Sequence, residues 1–112
     1  MTGFHVTGPS REGEWLAWDV VVDPGWKAFA GHFPGRPILP AIGHLFLVRH
    51  LLESVRGPGT RITAVDRFRI TRPIPPGAKL RVRIEICEAQ GSSHFTIDDG
   101  AERSSAASFQ WT

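Results

Sequence analysis

His32 stands in the turn "GHFPGRPILP", among two glycines and three prolines, and that turn runs directly into the apolar segment "AIGHLFLVRHLLESVR". Imidazole is the side chain whose ordinary pKa lies closest to neutrality. Held in a stiff turn, it suits a general base that takes a proton from a substrate. To do chemistry such a base needs a second group as well. The nearby residues with a suitable side chain on the polar side of the following segment are His50 and Glu53. Other chemistries find less support. The histidine spacings match no zinc motif, Cys87 has no cysteine partner, and His5 and His94 have no motif around them. A phosphate-binding glycine loop and a nucleophile elbow are both lacking, so the sequence gives no reason to expect a metal or a cofactor.

The elements that would position these residues follow from their periodicity. Pro40 fits the first turn of a helix, Gly57 sits where a C-terminal cap is expected, and Pro58 blocks continuation. At about 100° per residue, Ala41, Leu45, Leu47, Val48, Leu51, Leu52 and Val55 fill one arc of that helix. Arg49, His50, Glu53, Ser54 and Arg56 fill the other. Two residues break the pattern: His44 falls within the apolar arc and Phe46 within the polar one. A lone histidine on an apolar face reads as a buried, hydrogen-bonded core residue.

Before the helix, "EWLAWDVVVD" reads as a strand, and "PGWKAFAGHFPGRPIL" as loop with at most one helical turn. After it the period changes to two, in "TRITAVDRFRITRPI" and "KLRVRIEICEAQ", joined by a "PPGA" turn. "SSHFTIDDG" and "AERSSAASFQW" complete the set, with Asp99-Gly100 as a hairpin signal. Residues 1 to 13 show no period and read as a flexible arm, leaving one domain over 14–112. One strand, one long helix and four more strands make an α+β fold, an antiparallel sheet against a single helix.

Composition sets the outer bounds. At 112 residues and 41% hydrophobic content there is material for one modest core, and a chain this small gains buried surface by oligomerising. Thirteen Lys and Arg against eleven Asp and Glu leave a net charge of only +2, with no dense basic run to suggest nucleic acid. The N-terminus lacks an apolar signal core and no stretch is long enough to cross a membrane. A single cysteine fits a reducing compartment. These features together suggest a cytoplasmic protein.

Two motifs carry a resemblance. "FAGHFPGRPILP" resembles the histidine signature of the hotdog-fold 3-hydroxyacyl-ACP dehydratases of the FabA/FabZ type, and "RFRITRPIPPGAKLRVRIEI" resembles their matching strand–turn–strand. Order and separation agree, over roughly residues 15 to 110. The short early region is similar to the compact dehydratase-like proteins of aryl-polyene and polyketide pathways. The resemblance implies a hotdog domain, a curved antiparallel sheet wrapped around one long central helix, dimerised so that the two sheets become continuous. It implies a site at the dimer interface, where His32 of one subunit takes the α-proton of a 3-hydroxyacyl thioester. Backbone N–H groups at the helix N-terminus, those of Ala41 and Ile42, would hold the thioester oxygen. An Asp or Glu on the other subunit's helix would deliver a proton to the departing hydroxyl.

That acid position lands on Phe46, which carries no proton to give. His50 and Glu53 share a helical stripe with Phe46. They read either as a displaced acid or water-positioning group, offset by about 6 to 10 Å along the axis, or as solvated or interface residues. Phe33 and Phe68, with Phe46, are candidates to line an acyl tunnel or simply to pack. Lys27, Arg36 and Arg72 are candidates to meet an acidic acyl carrier protein. Arg67, Arg69, Arg81 and Arg83 alternate along strands as a solvated face would. The expected partners are a carrier bearing a 3-hydroxyacyl chain and a second hotdog subunit, identical or homologous. A homologue would supply the acid that this chain lacks. The competing readings are a non-catalytic hotdog subunit and, last, a hotdog thioesterase.

Overall fold

Strict alternation sorts the sheet residues between two faces. On β4 (Lys79–Cys87), Leu80, Val82 and Ile84 are buried while Arg81, Arg83 and Glu85 turn to the opposite face. The same alternation buries Trp18, Val20 and Val22 on β2 (Trp15–Val22), and Ser93, Phe95 and Ile97 on β5 (Ser92–Asp99). On β6 (Glu102–Trp111) it buries Ser105, Ala107 and Phe109. In the computed structural model, which describes residues 3–30, 35, 37–87 and 92–112, these strands join β1 (Phe4–Glu12) and β3 (Ile62–Ile70) in one sheet. The order is β1-β2-β4-β5-β6-β3 and every neighbouring pair is antiparallel. The expected α+β architecture, one antiparallel sheet and one long helix in a single domain, is the observed one.

The helix, α1 (Ala41–Arg56), lies between β2 and β3 in the chain. Leu47, Val48, Leu51 and Leu52 are all at most 1% exposed, and each contributes about 1.5–3 kcal/mol by leaving water. Ala41 and Val55, expected in the apolar arc, are exposed, because the buried face is narrower than the arc and runs only from Gly43 to Leu52. Pro40 is the N-cap rather than the first helical residue, with ψ at 165°. Gly57 ends the helix as expected, at φ +104°, where its N–H reaches the Glu53 carbonyl at 2.8 Å. Gly100, at φ +64°, makes the β5–β6 hairpin turn.

Residues 4 to 12, read from sequence within a flexible arm, form β1 and pair with β2 along their length. An edge strand with solvent on both faces has no apolar period to display, and only Phe4 of β1 is buried. Arg81 bridges Glu12 and Asp19, and Arg83 bridges Glu12 and Asp98. These two arginines are therefore the tied polar face that their alternation suggested. The two guanidinium groups hold the Glu12 carboxyl below its usual range.

β3 is the other edge. Among the described residues it pairs only with β6, and most of it is exposed, including Val65 and Ile70. A bulge between Asp66 and Arg69 puts Arg67 at φ +54°, which lets Phe68 turn toward the core.

Close approach of α1 to the segment before it depends on Gly43. A Cβ there would lie 2.5 Å from Leu39 Cδ1 and 2.8 Å from Cγ, and Leu39 is itself 2% exposed. Gly43→Ala is therefore expected to cost about 1–3 kcal/mol by overpacking, despite the better helix propensity of alanine. Equilibrium denaturation measures it, and a variant as stable as the parent would refute the contact.

Candidate active site

The first turn of α1 presents free donors. The Gly43 and His44 N–H groups reach the Pro40 carbonyl at 2.9 and 3.4 Å. The Ala41 and Ile42 N–H groups precede the helical ladder, and among the described residues neither donates to another backbone group. No acidic side chain occupies this turn, so the positive end of the helix dipole is left for an incoming anionic or polarised oxygen. Ile42 is 70% exposed, so the turn is open to whatever docks there.

One turn along the same face, Phe46 is 47% exposed. Its ring meets Phe4 at 6.4 Å and Trp26 at 6.1 Å between centroids. Phe4 is edge-on to the His50 ring at 5.0 Å. Phe4 and Trp26 are themselves 5.2 Å apart, and Gly3 passes so close to the indole that a Cβ would overlap it. Strand β1 thus clamps an aromatic cluster onto the stripe where the acid position falls. Glu53 is engaged elsewhere, accepting from Arg49 Nε at 2.9 Å. Neither His50 nor Glu53 is brought together with a second catalytic group among the described residues.

Beside Phe46 a groove of about 700 Å³ runs between α1 and β3. Ile42, Leu45, Phe46 and Arg49 form one wall and residues 61 to 65 the other. Arg61 on this rim was missed by the sequence reading, as were Phe4 and Trp26. Nothing in the motif region points to Arg61, and Phe4 stands with Val6 in a mostly polar segment.

The remaining candidates fall in different places. His32, Phe33 and Arg36 lie outside the described residues. Lys27 is exposed on a short helical turn, Lys27–Phe29. Arg72 lies beyond the end of β3 remote from Arg61, and its Nη1 is 3.3 Å from Glu102. Phe68 is apart from the groove: its ring faces Phe95 at 5.8 Å and His44 at 6.0 Å. Among the described residues no cluster of His, Cys, Asp and Glu could hold a metal ion. None of the described helices is long and apolar enough to cross a membrane.

His44 is buried completely, as its place in the apolar arc suggested. Its Nδ1 is 2.8 Å from Ser105 Oγ, while Nε2 makes no well-formed hydrogen bond. Burial pushes the imidazole down from 6.5 to about 4, with the Leu39 backbone acting weakly the other way.

Known proteins share both this sequence pattern and this arrangement of elements. The ApeI-like family model, described as ApeI dehydratase, matches residues 9–110. The chain belongs to the ApeI-like dehydratase family. Relatives of this family member include the 3-hydroxyacyl-[acyl-carrier-protein] dehydratase FabZ of Haemophilus influenzae strain 86-028NP. It is 32% identical over 95 residues, covering 77% of this chain and 64% of that one. FabZ of Histophilus somni strain 2336 is 33% identical over 97 residues, covering 77% and 63%. The chain thus spans a little under two thirds of the length of these curated relatives. The fold is shared with a chain of the dehydratase heterocomplex ApeI:P from Xenorhabdus doucetiae, at TM-score 0.83 and 21% identity over 96% of both chains. It is also shared with a point mutant of the fluoroacetyl-CoA-specific thioesterase FlK, at TM-score 0.67 and 19% identity over 92% of this chain and 94% of that one. The hotdog fold is therefore common to ApeI-like dehydratases and to a thioesterase, and only the site can separate their chemistries.

The buried imidazole has a consequence for stability. The unfolded chain takes up the His44 proton near pH 6.5, and the folded chain only near 4. Between those values the unfolded state binds more protons, so stability falls as pH drops through the window. Denaturation at pH 7.5 and 4.5 is expected to show His44→Leu losing about 2–3 kcal/mol less than the parent. Parallel pH profiles for the two proteins would contradict a buried neutral ring.

Proposed function

We propose that this chain is a subunit of a 3-hydroxyacyl-thioester dehydratase whose substrate is carried on an acyl carrier protein, and that a homologous hotdog chain supplies the acid. His32 takes the α-proton. The negative charge that moves onto the thioester oxygen is met by the Ala41 and Ile42 amides. The C–O bond at the β-carbon then breaks, and the hydroxyl leaves as water with a proton from the partner's acid, giving the enoyl thioester. Lys27 and Arg36 are proposed carrier contacts. Arg72 is a weaker candidate, since Glu102 already engages its charge.

The observation that carries the two-chain reading is Phe46. The position that should hold the acid bears a half-exposed phenyl ring, clamped by Phe4 and Trp26 and facing an open groove. A homodimer would place that ring in both sites. A partner with a carboxylate would complete the site that uses this chain's His32. The unpaired β3 edge, exposed and partly apolar, supports docking by strand addition next to this groove. A relative of this fold is itself described as a dehydratase heterocomplex, which agrees with this reading.

The second reading is a non-catalytic subunit that binds an acyl chain or stabilises its partner, and the aromatic cluster over the acid position favours it. His32→Ala separates the two. In the complex with a co-expressed hotdog partner, the dehydratase reading expects about a 10²–10⁴-fold loss of kcat on a 3-hydroxyacyl carrier substrate. Unchanged turnover would assign the chemistry to the partner and leave this chain a supporting role.

A further inference from the structure

Phe46 and the free amides sit at the open end of α1, but what holds that end in place lies underneath. The leucines and valine that seat α1 on the sheet make non-directional contacts, which resist separation better than small rotations or slides. His44 differs from them. It is the one histidine without exposed surface among the described residues, and an aliphatic residue would fill its place without burying a polar ring. Its Nδ1 reaches Ser105 Oγ at 2.8 Å, across 61 positions of sequence. Ser105 is fully buried on β6, opposite Ile97 of β5 and Ile70 of β3, so it is fixed from both sides. The Phe68 ring closes over the imidazole from β3. At the other end of the tie, the His44 N–H belongs to the first turn, on the same Pro40 carbonyl as the Gly43 N–H. A directional bond thus joins the middle of the sheet to the turn that begins with Ala41 and Ile42.

We infer that His44 is a positioning residue, whose bond to Ser105 sets the rotation and height of the first turn of α1 and so the aim of the Ala41 and Ile42 amides. The catalytic side of this inference rests on the proposed dehydratase function; the structural side stands without it. Aim matters because preorganised donors stabilise a developing oxyanion only where the geometry is already correct, and small misplacements are costly in rate.

Ser105→Ala removes the hydroxyl partner of Nδ1 while leaving a small side chain in a buried site, and His44→Asn keeps a polar atom near the place of Nδ1. Two readouts are taken. Amide hydrogen exchange on the purified chain is expected to speed up about 10-fold or more at Gly43 and His44 in Ser105→Ala, with Leu51 and Leu52 unchanged. Unaltered protection of Gly43 and His44 would overturn the inference, whether or not the chain is a dehydratase. In the complex with its partner, kcat is expected to fall about 10–100-fold in Ser105→Ala and His44→Leu with KM nearly constant. His44→Asn is expected to recover most of that loss. Lower stability with kcat intact would reduce His44 to a packing residue. If the parent complex makes no enoyl product, the proposed function fails, and the exchange result alone decides whether His44 holds the turn.

Discussion

A sixteen-residue helix cannot bury all of its surface against one sheet, and the strip it leaves uncovered decides what this protein can do. The leucines and valine of α1 face the sheet and hold the domain together. Ile42, Phe46 and Arg49 remain on the uncovered strip, beside the unpaired edge of β3 and the groove between them. The same helix therefore serves as the core and as one wall of the candidate site. Its free N-terminal amides open on that wall. In this arrangement the energetics of folding and the geometry of catalysis share their atoms, which is why a buried tie such as His44–Ser105 can bear on a site it does not touch.

The two edges of the sheet are managed differently. β1 is mostly polar, bent by a bulge and tied across β2 to β4 by Glu12, which meets two arginines there. β3 keeps exposed valine and isoleucine and an open row of backbone groups. Isolated sheets avoid such an edge, and its place next to the proposed site agrees with the proposed partner. Phe46 sharpens the identity of that partner. On the proposed reading two copies of this chain would meet with a phenyl ring in each acid position, whereas an unlike hotdog chain would leave one working pair.

Much of this was legible before the structure. The alternation of Leu80, Val82 and Ile84 names a strand and its buried face, Gly57 and Pro58 name the end of the helix, and the displaced polarity of His44 and Phe46 marks both as exceptions. β1 was not legible, because a strand exposed on both faces carries no apolar period. The aromatic cluster was missed with it, since Phe4 reaches Phe46 only through β1. The same holds for Ser105, a small polar residue whose meaning depends on a partner 61 positions away. The groove and Arg61 depend on how β3 lies beside α1, which local sequence does not encode.

On the proposed reading this chain supplies a base, His32, and an oxyanion turn, and has Phe46 where the acid would stand. Such a half-site can remove an α-proton and return it, but it cannot expel the hydroxyl. The most direct measurement is deuterium incorporation at the α-carbon of a 3-hydroxyacyl thioester in heavy water, with the chain purified alone and the enoyl product followed in parallel. The account predicts exchange that disappears in His32→Ala, with no enoyl thioester formed above background. Enoyl formation by the chain alone would contradict it, as would the absence of any exchange dependent on His32.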